Sequence, residues 1–258
     1  MGPCMRRPQG RRAPHGGTAP SGRARAGRRP RHERLAVLFG GALPAHTAAM
    51  HDDSAPRHSA LTERTLAHYD DHALSFWEGT RDHDVSQNRA ALLAALEGAG
   101  PFTILDLGCG PGRDLAAFRA AGHTPVGLDG SARFVDMARR HAGCEVLHQD
   151  FLRLDLEAGR FDGIFANASL FHVPSKELPR VLRELHAALR PRGVLFCSNP
   201  RGDDREGWSG DRYGCTWSLE RWREHVTTAG FEEIEHYYRP AGRPREQQPW
   251  LATVWRKR

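Results

Sequence analysis

Three glycines spaced two apart, Gly108, Gly110 and Gly112, follow the apolar run Ile104-Leu105-Asp106-Leu107, and Asp106 stands two places ahead of the first of them. The run has the length and composition of a buried strand, and a helical pattern begins at Arg113. Glycine lets the backbone turn tightly and approach a ligand, and the first turn of a helix offers unpaired N–H groups at a positive dipole end. Strand, glycine turn and helix together make a nucleotide-cofactor loop. Asp129 lies 17 residues beyond Gly112, where an acid can accept both hydroxyls of a ribose, or cap the next helix beside Ser131. His172 closes the segment Ala166-Asn167-Ala168-Ser169-Leu170-Phe171-His172. Its near-neutral titration suits a general base, and a histidine packed on the sheet is the alternative.

These residues need elements to position them. Leu61, Leu66, Tyr69, Leu74 and Phe76 predict a loose helix over 61–77, and Leu92, Leu93 and Leu96 a second over 85–96. Strands are then expected at 103–107, 125–128, 144–147, 161–166 and 194–198. Between them fall a helix over 113–121 and one capped by Ser131 and closed by Gly143. A further helix, capped by Ser175, carries Leu178, Val181, Leu182, Leu185 and Leu189 on one face. A long polar loop at 199–214 precedes a helix starting at Ser218, and strands at 232–238 and 251–255 finish the chain. Strands alternating with helices demand a parallel sheet covered on both faces, and the closing strand–loop–strand implies one antiparallel neighbour.

The G-x-G-x-G spacing with Asp106 just ahead differs from the G-x-G-x-x-G of dinucleotide folds and resembles motif I of the class I S-adenosylmethionine-dependent methyltransferases, from about Leu61 onward. The resemblance implies an α/β fold with a doubly wound, mostly parallel seven-stranded sheet, an antiparallel last strand between five and six, and an N-terminal helical lid. It implies S-adenosyl-L-methionine as cofactor, with Asp106, Gly108, Cys109 and Gly110 at its amino-acid and ribose parts, Asp129 and Gly130 at the sugar, and Asp150 and Phe151 at the adenine. Asn167 and Ser169 would line the methionine end, Tyr69 would cover the cofactor from the lid, and His172 would be the catalytic base. No metal is needed. The expected activity is methyl transfer to N, O or S of a small molecule. An RNA or protein methyltransferase of the same fold and a non-catalytic cofactor-binding module are the rivals. The loop at 199–214, with Arg201, Trp208, Arg212 and Tyr213, and the C-terminal hairpin, with Tyr237, Tyr238 and Arg245, are the expected acceptor-binding parts.

The whole chain of 258 residues has room for one sizeable α/β domain. Its net charge of +6 is unevenly spread. Residues 1–50 hold ten arginines and one acid, so they carry +9 and the remainder −3, which removes the case for nucleic acid as partner of the folded part. This Arg/Gly/Pro-rich stretch reads as a disordered tail ahead of a methyltransferase domain at 51–258. It is expected to be a translated upstream segment with the start at Met50; a transit sequence or an RNA-contacting arm are the other readings. Five cysteines without C-x-x-C spacing suggest neither disulfides nor zinc, but small buried residues of a reducing compartment. With no membrane-length apolar run, no membrane partner is expected and the protein reads as cytoplasmic; the sequence leaves the oligomeric state open.

Overall fold

The computed structural model describes residues 54–258, so the expectations for the stretch 1–50 lie outside the described residues. Helices α1 (Ser54–Asp71), α2 (Ala73–Thr80) and α3 (Ser86–Ala95) lead into β1 (Thr103–Leu107), α4 (Arg113–Ala120), β2 (Thr124–Asp129), α5 (Ala132–Ala142), β3 (Val146–His148) and β4 (Phe161–Asn167). The chain continues through α6 (Leu178–Ala188), β5 (Leu189–Pro200), β6 (Glu206–Ser209), β7 (Arg212–Cys215), α7 (Leu219–Thr228), β8 (Phe231–Arg239) and β9 (Trp250–Lys257). Seven strands form one sheet in the order β3-β2-β1-β4-β5-β9-β8. The chain reverses at β1, winds both ways, and inserts β9 antiparallel between β5 and β8. This is the expected architecture.

The strand periodicity of two sorts the side chains onto two cores. Ile104, Phe165, Val194, Phe196 and Val254 face α3 and α4, where Phe118 and Leu92 cover them. Leu105, Leu107, Ile164, Leu195 and Trp255 face α6 and α7. The stripe predicted on α6 is real: Leu178, Val181, Leu182 and Leu185 are fully buried, each worth roughly 1.5–3 kcal/mol of transfer free energy. On α7, Trp222 is buried with its indole N–H donated to Thr253 Oγ1 at 3.1 Å, so its polar tip is not left unpaired.

Several elements differ from the sequence expectation. The single helix over 61–77 is two helices broken at His72, whose ring stacks on His68 and whose Nδ1 bonds the His68 carbonyl at 2.8 Å. Ser175 does not cap α6: that helix begins at Leu178 behind Glu177, and the Ser175 N–H donates instead to Glu206 at 2.8 Å. Leu189, expected on the helix stripe, opens β5, because its buried side chain serves either element equally. The polar stretch over 199–214 is not a loop throughout: only 201–205 and the turn at Gly210 lie outside strands. It folds as a β6–β7 antiparallel ribbon turning at Gly210, a short two-stranded signal that polar composition hid.

Gly112 sits at the N-terminus of α4 with φ +92°, and a Cβ there would lie 2.9 Å from the Ala138 Cα of α5. Both the left-handed backbone and the helix-on-helix contact exclude a side chain. Gly112→Ala is therefore expected to destabilise the fold by about 2–4 kcal/mol, seen as a lower urea midpoint at unchanged slope.

Candidate functional site

β1 ends at Leu107, and the glycine turn folds beneath the end of β2: the Gly108 and Cys109 N–H groups both donate to the Leu128 carbonyl, at 2.7 and 3.1 Å. Asp129, the last residue of β2, locks the turn. Its Oδ2 accepts from the Gly110 N–H at 2.9 Å and its Oδ1 from the Ser131 N–H at 2.9 Å. Burial raises the Asp129 pKa to about 6, while these N–H groups pull towards the ionised form. Opposite the turn stands Ser169. Gly108 has φ +75°, and a Cβ there would lie 2.4 Å from the Ser169 Cβ, so the loop passes beneath the post-β4 segment with no room for a side chain.

These parts enclose a cavity. Gly108, Gly110, Asp129 and Gly130 line one wall; Asp150, Phe151 and Leu152 form another; Ser169, His172 and Val173 close the third. The roof comes from α1 and α2 through Thr62, Thr65, Leu66, Tyr69 and Phe76, with Phe134 of α5 beside them. Tyr69, Phe76 and Phe134 form an aromatic triad with ring centroids 5.1–5.6 Å apart. Asp150 sits at the mouth of the turn after β3, where its Oδ1 accepts from the Leu152 N–H at 2.9 Å. At this site the buried Ser169 Oγ in the wall and Asp106 Oδ2 behind the turn have no partner among the described residues. Burial, and then the charge of Asp114, holds the Asp106 carboxyl well above the usual carboxylate range. Asp114 itself pairs with Arg89 at 2.5 Å and Arg113 at 2.6 Å, which ties α3 to α4.

His172 is fixed from both sides. Its Nδ1 lies 2.5 Å from the Tyr213 carbonyl, which can only accept, so Nδ1 carries the proton and Nε2 accepts the Tyr69 hydroxyl at 2.9 Å. Burial pushes its pKa down to about 4, against the opposite pull of the Tyr213 carbonyl. Helix α1 is pinned at several points. Asp70 accepts from the Ser131 Oγ at 2.6 Å and the Arg133 N–H at 3.1 Å, at the N-terminus of α5. Thr65 Oγ1 accepts from the Tyr213 N–H at 3.0 Å, and Arg64 forks onto Asp211 while lying over Trp208.

Of the sequence-predicted residues, Tyr69, Gly108, Gly110, Asp129, Gly130, Asp150, Phe151 and His172 line this one cavity. Asp106 lies behind it. Cys109 turns its sulfur into the core with Leu115 and Val135, leaving only its backbone to the loop. The Asn167 carboxamide accepts from Asn88 at 2.9 Å, in a polar cluster with Tyr237 and Arg239 outside the cavity lining. Several residues expected at the acceptor spend their polar groups within the protein: in the C-terminal hairpin Tyr237 donates to Asn88 and Arg245 lies over Tyr238, and Arg201 of the 199–214 stretch donates to the Gln248 and Arg245 carbonyls. Sequence reasoning missed Thr62, Thr65, Leu66 and Asp70. The first three lie on the inner face of a helix read only as packing, and Asp70 had no signal beyond its place next to Tyr69. The four cysteines among the described residues are free, three of them buried.

The family described as "Methyltransferase domain" matches residues 104–193. Ubiquinone biosynthesis O-methyltransferase of Coxiella burnetii is 35% identical over 100 residues, covering 37% of this chain and 42% of that protein. Trans-aconitate 2-methyltransferase of Azoarcus sp. (strain BH72) is 38% identical over 124 residues, 46% of this chain and 47% of that protein. The chain spans less than half the length of these two curated relatives. Among solved structures, Burkholderia thailandensis 1,6-didemethyltoxoflavin-N1-methyltransferase, with bound 1,6-didemethyltoxoflavin and S-adenosylhomocysteine, superposes with a TM-score of 0.64 at 23% identity over 81% of this chain and 93% of that one.

The fixed tautomer of His172 is directly measurable. Nitrogen-detected NMR is expected to show a neutral imidazole protonated at Nδ1 at pH 5.5; an imidazolium at that pH contradicts the geometry. Because the folded-state pKa is depressed, the unfolded chain binds the proton first, so this contribution to stability is full above pH 6.5 and is lost as pH falls towards 4. The urea midpoint of the His172→Gln variant should accordingly fall less than that of the parent between pH 7 and pH 5.

Proposed function

We propose that this chain, which belongs by fold to the class I S-adenosylmethionine-dependent methyltransferases, transfers a methyl group to a nucleophilic N, O or S atom of a small molecule. In this reading residues 51–258 are the working domain. The observation that carries it is the Asp129 carboxylate bound to the Gly110 N–H in the wall of a roofed cavity that also holds the Tyr69–His172 pair. A cytoplasmic setting is in keeping with free cysteines and with the lack, among the described residues, of any helix long and apolar enough to cross a membrane.

The residues fit the cofactor. Each oxygen of Asp129 accepts one N–H, which leaves lone pairs for the two hydroxyls of a ribose. Asp150 and Phe151 offer an acceptor and a ring face for the adenine. Ser169, in the wall with its Oγ unpartnered, is suited to the amino-acid portion, while Asp106 behind the turn and Asn167 outside the lining stand back from it. Gly108, Gly110 and Gly130 keep the wall free of side chains, and Tyr69 covers the site from α1. S-adenosyl-L-methionine, when bound, supplies a sulfonium methyl already activated towards nucleophiles. What is left for the protein is alignment of the acceptor, exclusion of water, and disposal of a proton.

The roof excludes water through Leu66, Phe76 and Phe134. For the proton, the Tyr69 oxygen can receive the acceptor's proton while its own hydrogen passes to His172 Nε2, leaving an imidazolium whose Nδ1–H stays on the Tyr213 carbonyl. Burial makes that imidazolium a poor resting state, so the relay suits an acceptor that turns acidic on methylation, such as an amine becoming an ammonium, and returns the proton to water when the roof opens.

Calorimetry and turnover test this reading separately. Asp129→Ala is expected to weaken S-adenosylmethionine binding by at least about tenfold, the loss of charge-assisted hydrogen bonds. His172→Ala should lower kcat by about 100-fold or more at nearly unchanged cofactor affinity. Cofactor affinity of the parent should decline below about pH 6, as Asp129 takes up its proton and ceases to accept from the sugar. No measurable heat with this cofactor, or an unchanged affinity in Asp129→Ala, would overturn the assignment.

A further inference from the structure

Three consecutive residues of β7 each hold one residue of the roof helix α1. Asp211 takes the Arg64 fork, the Tyr213 N–H donates to Thr65 Oγ1 at 3.0 Å, and between them the partly buried Arg212 guanidinium stands within hydrogen-bonding reach of the Tyr69 hydroxyl. The placement follows from the strand. Side chains alternate along β7, so Arg212 shares a face with Gly214. A Cβ on Gly214 would lie 3.0 Å from the Phe171 ring, which sets that face against the segment ending in His172. Arg212 is thereby carried to the point where Tyr69, from α1, meets His172, from the turn after β4. Neither the cofactor wall nor the hydrogen bond between Tyr69 and His172 requires a cation there.

A cation at this point has two effects. The first is directional. A phenol oxygen carries one hydrogen and two lone pairs, and a guanidinium N–H can only donate. Facing Arg212, the Tyr69 oxygen accepts, so its hydrogen turns towards Nε2 of His172, the acceptor nitrogen 2.9 Å away. The remaining lone pair belongs to the cavity that Tyr69 lines, where an acceptor's proton would arrive. The second effect is electrostatic. Burial raises the Tyr69 pKa, and the Arg212 charge pulls it back. Burial lowers that of His172, and the same charge lowers it further. Arg212 thus favours the phenol oxygen as it sheds its hydrogen and disfavours an imidazolium that lingers. The other charged or titratable groups that bear on the pair are Asp129 in the cavity wall and His68 on α1, with Asp71, His72 and Asp211 around His68.

Given the Tyr69–His172 relay, on which this rests, we propose that Arg212 is a positioning residue for methyl transfer: acting through the Tyr69 oxygen, it aims the phenol hydrogen at His172 Nε2 and reserves the remaining lone pair for the acceptor's proton. With an amine acceptor, the N–H bond of the methylated ammonium breaks and its electron pair stays on nitrogen. The proton joins the Tyr69 oxygen, the Tyr69 O–H bond breaks as that hydrogen joins Nε2, and the positive charge moves from the ammonium to the imidazole. At no stage does Arg212 gain or lose a proton; it holds the direction of travel.

Nitrogen-detected NMR of the full chain, without cofactor or acceptor, reads this directly. In the parent the His172 imidazole should titrate at about 4. In Arg212→Met the midpoint is expected to rise by about half a unit or more, and at pH 7 the Nε2 resonance should lose part of the shift that the Tyr69 hydrogen bond gives it. Arg212→Lys, which keeps the charge and a donor, should restore most of both. A merely structural loss would lower the urea midpoint and leave both signals where they stand. In a Tyr69→Phe background, Arg212→Met should no longer change the Nε2 resonance at pH 7, since the group it acts through is gone. On an amine that the parent methylates, kcat should fall at least about tenfold in Arg212→Met and recover in Arg212→Lys, with S-adenosyl-L-methionine affinity unchanged by calorimetry. The proposal is wrong if Arg212→Met leaves the midpoint and the Nε2 resonance unmoved, if the same Nε2 change persists in Tyr69→Phe, or if kcat stays at the parent's value. Should the parent unfold before His172 titrates, the Nε2 resonance at pH 7 decides. Absence of heat with S-adenosyl-L-methionine would sink the cofactor assignment while the Nε2 result stood, so the two failures are told apart.

Discussion

The carboxylate of Asp129 is the constraint around which the site is organised. It ends β2, yet its oxygens accept from the Gly110 turn after β1 and from the N–H of Ser131 ahead of α5, so one side chain joins the loops after β1 and β2, beside the point between β1 and β4 where the sheet reverses direction. Open α/β sheets bind ligands outside the carboxyl ends of their strands at such a reversal, because the loops there part to opposite faces. Everything else in the cavity is measured from this joint: Ser169 stands over Gly108, and α1 takes its end position from Ser131 through Asp70.

The cost of that arrangement is electrostatic. Asp106, Asp114 and Asp129 are all buried, in the stretch of chain from β1 to the end of β2. Their mutual repulsion is answered differently in each case. Asp114 is neutralised by Arg89 and Arg113, Asp129 by N–H groups of the backbone, and Asp106 retains its proton more readily because it has neither. Removing both Arg89 and Arg113 would strand the buried Asp114 charge, which is the more damaging way to break such a cluster. The ion pair thereby makes the glycine turn dependent on α3, an element that contributes no side chain to the cavity.

Much of this was legible in the sequence, for identifiable reasons. The glycine turn, Asp129 and the closing antiparallel strand were readable because each is a local pattern with a physical reason: positive φ, a strand-end acid, and two strands with no helix between them. The ribbon of β6 and β7 was not, since four-residue polar strands look like loop until their partner is known. Nor could the sequence tell that Tyr237 and Arg239 turn towards Asn88, because the cluster joins residues about 150 positions apart. His172 stands between these cases. Its place after β4 was evident, but its proton was not, since the Tyr213 carbonyl that fixes it comes from the ribbon that composition concealed.

The fastenings of α1 are unequal. At its C-terminal end Asp70 is partly buried and holds a helix start, whereas in mid-helix Arg64 pairs with Asp211 where both are more than half exposed, an ion pair of the kind worth at most about 1 kcal/mol. The hold on the helix is therefore weakest beside Trp208 and strongest at Asp70, with the Thr65 and Tyr69 hydrogen bonds between them. A molecule would enter and leave sideways past the ribbon, and the side of the pocket nearest Asp129 would be the last to meet water and the first to be sealed from it.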